Sequence, residues 1–193
     1  STAGGYTESY ENAFTQPGST VFPSTPKPYL KGKPDIPGTP PLYDEAAAEA
    51  FYTSKPQSFD INSSYYRWTK KWTREELENT LKQTLPTVSN TGMLLPSFRT
   101  GQNLGTLKEL RVVSRGVSGK AMLVEIITDQ GSWVIKKELI IRQVLKHQGK
   151  MLPSANIIIK NKYDELGNLV EVVVHGGGFG HGVGMSQFGA GYM

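Results

Sequence analysis

Residues 120–128 read KAMLVEIIT, and after a DQG turn residues 132–136 read SWVIK. β-Branched residues favour strands, and a short turn with glycine favours a hairpin between them. Three further strand candidates flank this hairpin: 109–115, 156–161 and 169–175. Residues 107–175 are therefore expected to form a β-rich core. Because strands and helices do not alternate regularly, the sequence predicts an α+β fold with a mostly antiparallel sheet and a few short helices.

Three helices are expected around these strands. Residues 44–52 (DEAAAEAFY) begin with a capping aspartate and are rich in alanine. Residues 73–84 begin with TREE, a capping box, and place leucines at 77, 81 and 85 on one face. Pro86 is expected to end that helix. Residues 138–147 (ELIIRQVLKH) predict a third, short helix.

A proline-rich segment lies at residues 15–41. It holds eight of the twelve prolines and has no periodicity, so it predicts a long loop insertion rather than a helix or a strand. Five apolar side chains could hold this loop against the core: Val21, Phe22, Tyr29, Leu30 and Ile36.

The composition excludes several classes of protein. The 193 residues include no cysteine, which excludes disulfide scaffolds, thiolate metal sites and cysteine nucleophiles. There are only three histidines (His147, His175 and His181), so we expect no metal site and no cofactor. The formal charge of +4 is mild and dispersed, so nucleic acid is not expected as a partner. No apolar run approaches about 20 residues, so no membrane span is predicted.

The stretch HGGGFGHGVGMSQFGA (175–190) carries glycine at every second position from 176 to 184. If the segment is extended, one face is bare backbone and the other carries Phe179, His181 and Val183. Glycine also permits positive φ where the chain must bend. Neither phosphate-loop spacing fits, and the apolar residues argue against a linker. The alternative to a functional role is that the glycines only relieve steric crowding against neighbouring strands.

Two side chains of this stretch could act on a ligand. The imidazole of His181 has an ordinary pKa of about 6.5, which suits proton handling or hydrogen bonds to sugar hydroxyls. The alternative is a structural histidine. Ser186 could contact a ligand or cap a short helix.

A second motif of small residues, STAGGYTE, occupies residues 1–8. Gly4 and Gly5 permit a tight turn, and Thr7 and Glu8 offer a hydroxyl and a carboxylate directly after it. The alternative is a solvated turn without function.

Together these two motifs resemble the sporulation stage II protein D (SpoIID) family, which includes amidase-enhancer (LytB-type) domains. The family's signature, G-x-G-x-G-H-G-x-G-M-S-Q followed by an aromatic residue, glycine and alanine, stands at residues 176–190. The family's S-T-S-G-G-x-T-E motif stands at residues 1–8, with Ala3 in place of a serine. The resemblance covers nearly the whole chain. It implies one domain over residues 1–193 with a glycine-rich signature loop at 176–190.

The resemblance implies an extracytoplasmic protein of the bacterial cell envelope, or a secreted one, that acts on peptidoglycan. The sporulation proteins are lytic transglycosylases, which cut glycan strands stripped of stem peptides. One acid protonates the glycosidic oxygen, and the sugar's own hydroxyl closes an anhydro ring. Supporting catalytic roles are implied for His181, Ser186 and Gln187. Substrate contacts are implied for Thr7, Glu8, Gly180, Gly182 and Tyr66.

The family's acid is a glutamate on a helix upstream of the motif at residues 1–8, and it has no counterpart in this chain. We therefore expect a fragment, truncated at both ends, of a transglycosylase whose partner is the glycan strand. Any membrane attachment would be made by segments outside the chain. One alternative is a non-catalytic wall-binding module that enhances a partner N-acetylmuramoyl-L-alanine amidase. Another is a purely structural interaction domain.

Overall fold

The computed structural model describes residues 3–191 and has the α+β fold that the sequence predicts. In this part of the chain the strands are β1 (Trp68–Thr73), β2 (Leu94–Leu95), β3 (Leu107–Arg115), β4 (Ala121–Thr128), β5 (Gly131–Lys136), β6 (Ile157–Tyr163) and β7 (Leu169–Gly176). The α-helices are α1 (Glu45–Thr53), α2 (Arg74–Val88), α3 (Glu138–Val144) and α4 (Gln187–Ala190). Short 3-10 turns lie at Tyr10–Asn12, Pro28–Leu30 and Ser89–Thr91.

The strands form two antiparallel sheets. One has the order β1-β7-β6 and the other the order β2-β5-β4-β3. The side-chain amide of Asn161 on β6 joins the sheets, because it accepts from the backbone amide of Leu110 on β3 (3.1 Å) and donates to the carbonyl of the same residue (2.9 Å). At this junction between the two sheets, a side chain thus takes the place of the backbone hydrogen bonds that would pair two strands.

The main core lies between the sheets, α2 and α3. The capping box at Thr73 and Glu76 forms as expected, and the three leucines on the inner face of α2 (Leu77, Leu81 and Leu85) are fully buried. Burial of each contributes about 2 kcal/mol. The expectation that Pro86 ends this helix is wrong, because α2 continues to Val88. Val88 is buried in the core, and this packing outweighs the missing amide of the proline.

A second, smaller core lies between α1 and β6. It contains Ala3, Leu42, Ala48, Tyr52 and Ile158. Asp44 caps α1 as expected, accepting from the amide of Ala47 (2.7 Å). The buried hydroxyl of Tyr52 donates to the carbonyl of Ser118, in the turn between β3 and β4. These contacts place the N-terminal segment beside that turn.

The proline-rich segment lies on the surface and is held mostly by its backbone. Phe22 packs against the main core, but Val21 and Tyr29 are 68% and 78% exposed and do not anchor the loop as the sequence suggested. The amide of Lys33 instead donates to the hydroxyl of Thr7 (2.9 Å), and the amide of Asp35 donates to the carbonyl of Gly5 (2.8 Å).

Over residues 3–191, no helix is both long enough and apolar enough to cross a bilayer.

Candidate functional site

The glycine-rich loop that follows β7 is not an extended strand, which corrects the expectation of a bare backbone face. Gly178, Gly180, Gly182 and Gly184 have φ values of +78°, +89°, +78° and +75°. L-Residues with a side chain rarely adopt these values, so the alternate glycines serve the backbone conformation of the loop. Gly176 has a different role, because a Cβ there would overlap the ring of Trp68.

Three neighbouring segments hold this loop by backbone hydrogen bonds. The amide of Gly178 donates to the carbonyl of Tyr65 (2.7 Å), and the amide of Gly180 donates to the carbonyl of Pro153 (2.9 Å). The carbonyl of Gly182 accepts from the amide of Glu8 (2.7 Å). The N-terminal motif and the glycine-rich loop are therefore neighbours in the fold.

His181 lies in the middle of the loop and is exposed to solvent. Its Nδ1 accepts a hydrogen bond from the amide of Val183 (3.1 Å), and one edge of its ring packs on Phe14, with 5.0 Å between ring centroids. A neutral imidazole that accepts at Nδ1 carries its proton on Nε2. His181 can therefore donate a hydrogen bond from Nε2.

The surroundings of His181 favour its neutral form. Partial burial lowers the pKa of the imidazole, the cations Lys120 and Arg142 lower it further, and Glu138 opposes them. Glu138 and Arg142 form a buried ion pair at 3.3 Å. Protonation of Nδ1 would also break the hydrogen bond from Val183. The ring is therefore a neutral donor at physiological pH.

An NMR titration of His181 is expected to give a midpoint below the ordinary value of 6.5, with the Nε2–H tautomer above it. Since the unfolded imidazole binds its proton more tightly, this residue makes the free energy of unfolding fall as pH drops below 6.5. The ¹⁵N shifts of the ring nitrogens report both properties. A midpoint above the ordinary value, or an Nδ1–H tautomer, would contradict this account of the ring.

An open cavity of 490 Å³ surrounds His181. Its walls come from the loop and from the start of α4: Phe179, Gly180, His181, Gly182, Val183, Met185, Ser186, Gln187 and Phe188. No carboxylate is among these lining residues. The cavity offers an imidazole donor and the exposed amide of Gln187, which suit the hydroxyl and amide groups of a neutral polar ligand.

Ser186 lines this cavity but has two structural contacts. Its hydroxyl accepts from the amide of Gly189 (3.1 Å), which caps α4, and donates to the buried carboxylate of Asp60 (2.7 Å). The cap that the sequence allowed is therefore formed. The hydroxyl proton is committed to Asp60, so any ligand contact of Ser186 would have to use its remaining acceptor capacity.

Glu8 does not line the cavity, which corrects its expected role as a substrate contact. It is fully buried, and its carboxylate accepts four hydrogen bonds: from the amides of Ser9 and Ser118, the side-chain amide of Asn12 and the hydroxyl of Ser118. A Cβ at Gly116 would overlap this carboxylate. Glu8 thus acts as a structural anchor beneath the loop.

Two other expected contacts also lie away from the cavity. The hydroxyl of Thr7 forms hydrogen bonds with the backbone carbonyl and amide of Lys33, in the proline-rich segment. Tyr66 is buried, and its hydroxyl donates to the carbonyl of Pro56. Ser1 and Thr2 of the N-terminal motif lie outside the described residues. Of the residues expected at the site, the structure therefore brings together Gly180, His181, Gly182, Ser186 and Gln187.

The sequence did not single out Phe14 or Asp60. Phe14 follows a short 3-10 turn and supports the ring of His181. Asp60 comes from the segment between α1 and β1 and holds Ser186. Neither residue belongs to a recognisable motif, and only the folded chain brings them to the loop.

A family model described as a domain of unknown function, DUF8618, matches residues 16–184. The chain belongs to this family. The matched range includes the proline-rich segment, both sheets and most of the glycine-rich loop. No curated protein matches the chain.

Within the described residues, no three histidine or acidic side chains come together as a metal site.

Proposed function

We propose that this DUF8618 domain binds the glycan strands of peptidoglycan in the His181 cavity, and that the intact protein cleaves them by a lytic transglycosylase reaction. The proposal places the protein in the bacterial cell envelope. One observation carries it: His181 is exposed and lines an open cavity, and the hydrogen bond from Val183 to Nδ1 leaves the proton of the neutral ring on Nε2.

The geometry of the cavity supports a carbohydrate ligand. Sugars present hydroxyl and acetamido groups, which need donors and acceptors fixed in place. The loop backbone is fixed by its hydrogen bonds to Tyr65, Pro153 and Glu8. Fixed groups lose little entropy on binding, so they hold a polar ligand more effectively than mobile ones. The resemblance of residues 176–190 to the signature described above supports the same class of ligand.

In the proposed reaction, a proton passes from an acid to the glycosidic oxygen as its bond to the anomeric carbon breaks. The hydroxyl of the same sugar then bonds to that carbon and gives its proton to the conjugate base of the acid, so the acid is regenerated and no water is consumed. His181 would donate from Nε2 to an oxygen of the sugar and hold it in place. The acid would come from outside residues 3–191, because no carboxylate lines the cavity and Glu8 is buried with four donors.

The same absence of a lining carboxylate favours a second candidate. A non-catalytic module that holds glycan for a partner amidase needs the donors of the cavity but no acid. Both candidates predict glycan binding at His181, and they differ in whether the intact protein forms anhydro-sugar ends.

The test uses the intact protein, its His181→Ala variant and glycan strands stripped of stem peptides. We expect His181→Ala to lower both glycan retention and the rate of anhydro-end formation about tenfold, the loss of one fixed hydrogen bond. Mass spectrometry counts the anhydro ends, and pull-down measures retention. His175→Ala is the matched control, because His175 lies on β7, where it contacts Thr69.

Three outcomes are informative. Anhydro ends that fall with His181→Ala support the transglycosylase. Retention on glycan and stimulation of an amidase, without anhydro ends, support the binding module. Unchanged retention by His181→Ala, or an equal loss with His175→Ala, would refute the glycan-binding role of the loop.

A further inference from the structure

Three cavities lie side by side on the surface of the domain. The His181 cavity shares Phe179 with a second cavity of 310 Å³, called here the middle cavity. The middle cavity shares His147 and Gln148 with a third of 390 Å³. A row of neighbouring cavities suits an extended ligand, because successive units of a chain can occupy successive cavities.

The middle cavity is built on the edge strand β1. The indole of Trp68 donates to the carbonyl of Gly178 in the glycine-rich loop (3.1 Å). The indole of Trp72 donates to the carbonyl of Lys146, after α3 (3.0 Å). Because side chains alternate along a strand, Lys70 shares a face with both tryptophans. It therefore stands between the two loops that form the sides of the cavity, and it lines the cavity.

A pair of aromatic rings lines the middle cavity, and one of them, Phe179, also lines the His181 cavity. The rings of Tyr65 and Phe179 lie 4.8 Å apart between centroids and are 44% and 51% exposed. Arg142 lies 6.0 Å from the Phe179 ring. Exposed aromatic surface that is supported by packing is typical of binding surfaces. The C–H faces of a pyranose ring are apolar and pack on such rings.

The charge of the middle cavity is positive. Lys70 and Lys150 line it, and no carboxylate does so. Lys150 closes a tight turn with His147, through reciprocal backbone hydrogen bonds of 2.8 and 3.1 Å. Gln148 in this turn has a φ of +50°, which is uncommon for a residue with a side chain. Among the residues that line the three cavities, the one carboxylate is that of Glu76, in the third cavity. The middle cavity is therefore complementary to an anion.

We propose that the middle cavity is a subsite for a sugar that carries a free carboxylate, next to the sugar held at His181. The ring would pack on Tyr65 and Phe179, and the carboxylate would face Lys70 and Lys150. This inference rests on the proposed function, since it assigns the neighbouring unit of the same glycan. A muramic acid unit with its lactyl carboxylate exposed and a uronic acid share this chemistry.

The test is a calorimetric titration of the intact protein with four tetrasaccharides. One contains N-acetylglucosamine alone, one alternates it with muramic acid bearing free lactyl carboxylates, one is the second with these carboxylates amidated, and one is a uronic acid oligomer. We expect the free muramic acid to bind about fivefold more tightly than its amide, as expected for exposed ion pairs. The preference should fall at high salt. Tighter binding of the uronic acid would identify that sugar as the source of the carboxylate.

The variants Lys70→Gln and Lys150→Gln are expected to reduce the preference for acid over amide about twofold to fivefold each. Neither should change the affinity for the neutral oligomer. Lys82→Gln is the matched control, because Lys82 is exposed on α2 and lines none of the three cavities. Lys150 is exposed on a turn, so its variant is informative even if Lys70→Gln disturbs the tryptophans.

The outcomes separate the two proposals. Equal affinity for acid and amide, with binding that still depends on His181, overturns the subsite and leaves the proposed function in place. A loss with Lys82→Gln equal to that with Lys150→Gln also overturns the subsite. Binding of none of the tetrasaccharides overturns both proposals.

Discussion

Replacement of Glu8 by alanine is expected to lower the free energy of unfolding by about 4 kcal/mol. Glu8 is fully buried, and its carboxylate accepts from Ser9, Asn12 and, twice, from Ser118. Alanine would leave these donors without an acceptor. Burial lowers the pKa of Lys120, and Glu138 and Glu8 oppose this shift, so the variant would also remove one of the two carboxylates that favour the charged form of this buried amine. Urea unfolding measures the change.

Two variants control this prediction. Glu8→Gln keeps the shape of the side chain but places an amide donor against the donors of Ser9, Asn12 and Ser118. We therefore expect a smaller but clear loss of unfolding free energy. Glu165→Ala removes an exposed glutamate from the turn before β7 and should change stability by less than about 0.5 kcal/mol. If Glu8→Ala behaves like Glu165→Ala, the anchoring role of Glu8 is wrong.

Replacement of Arg67 by alanine is expected to cost about 3 kcal/mol. The guanidinium donates to four carbonyl oxygens, those of Ala3 (2.8 Å), Phe51 (3.0 Å), Ser54 (2.7 Å) and Tyr66 (2.7 Å). These acceptors belong to the N-terminal segment, to the end of α1 and to the approach to β1. Without Arg67 they lose a common donor, so the N-terminal segment should loosen. Thermal unfolding and hydrogen exchange at the amides of residues 3–8 measure both effects.

Arg67→Lys distinguishes geometry from charge. Lysine keeps the charge but cannot reach four carbonyls with a planar fork or pack flat on the rings of Phe51, Tyr52 and Tyr66. We expect it to lose more than half as much stability as the alanine variant. Arg99→Ala, at an exposed arginine, should be nearly neutral. Full stability in Arg67→Lys would show that charge alone matters.

The strand order could not be read from the sequence, but most elements could. Local patterns specify the hairpin of β4 and β5 and the capped start of α2, and the structure contains both elements. The strand β1 was missed because Lys70 and Lys71 interrupt its apolar pattern. Its pairing with β7 outweighs that local preference.

The site was predicted in part. The spacing of the glycines identified the loop and His181, but a period of two residues also fits alternate left-handed backbone conformations. Glu8 was misread because its partner Ser118 lies 110 residues away. A carboxylate after a glycine turn looks exposed in sequence, and only long-range packing shows that it is buried.

The arrangement of the sheets also bears on self-association. An edge strand with unpaired backbone groups can pair with a strand of another molecule, which leads to aggregation. In the described part of the chain, β1 is such an edge strand, and it carries Lys70 and Lys71. The strand β2 has only two residues, and Asn161 occupies the seam between β3 and β6. Lys70, which would meet an acidic sugar, and its neighbour Lys71 thus also discourage intermolecular strand pairing, so neutralising both of these lysines should promote precipitation.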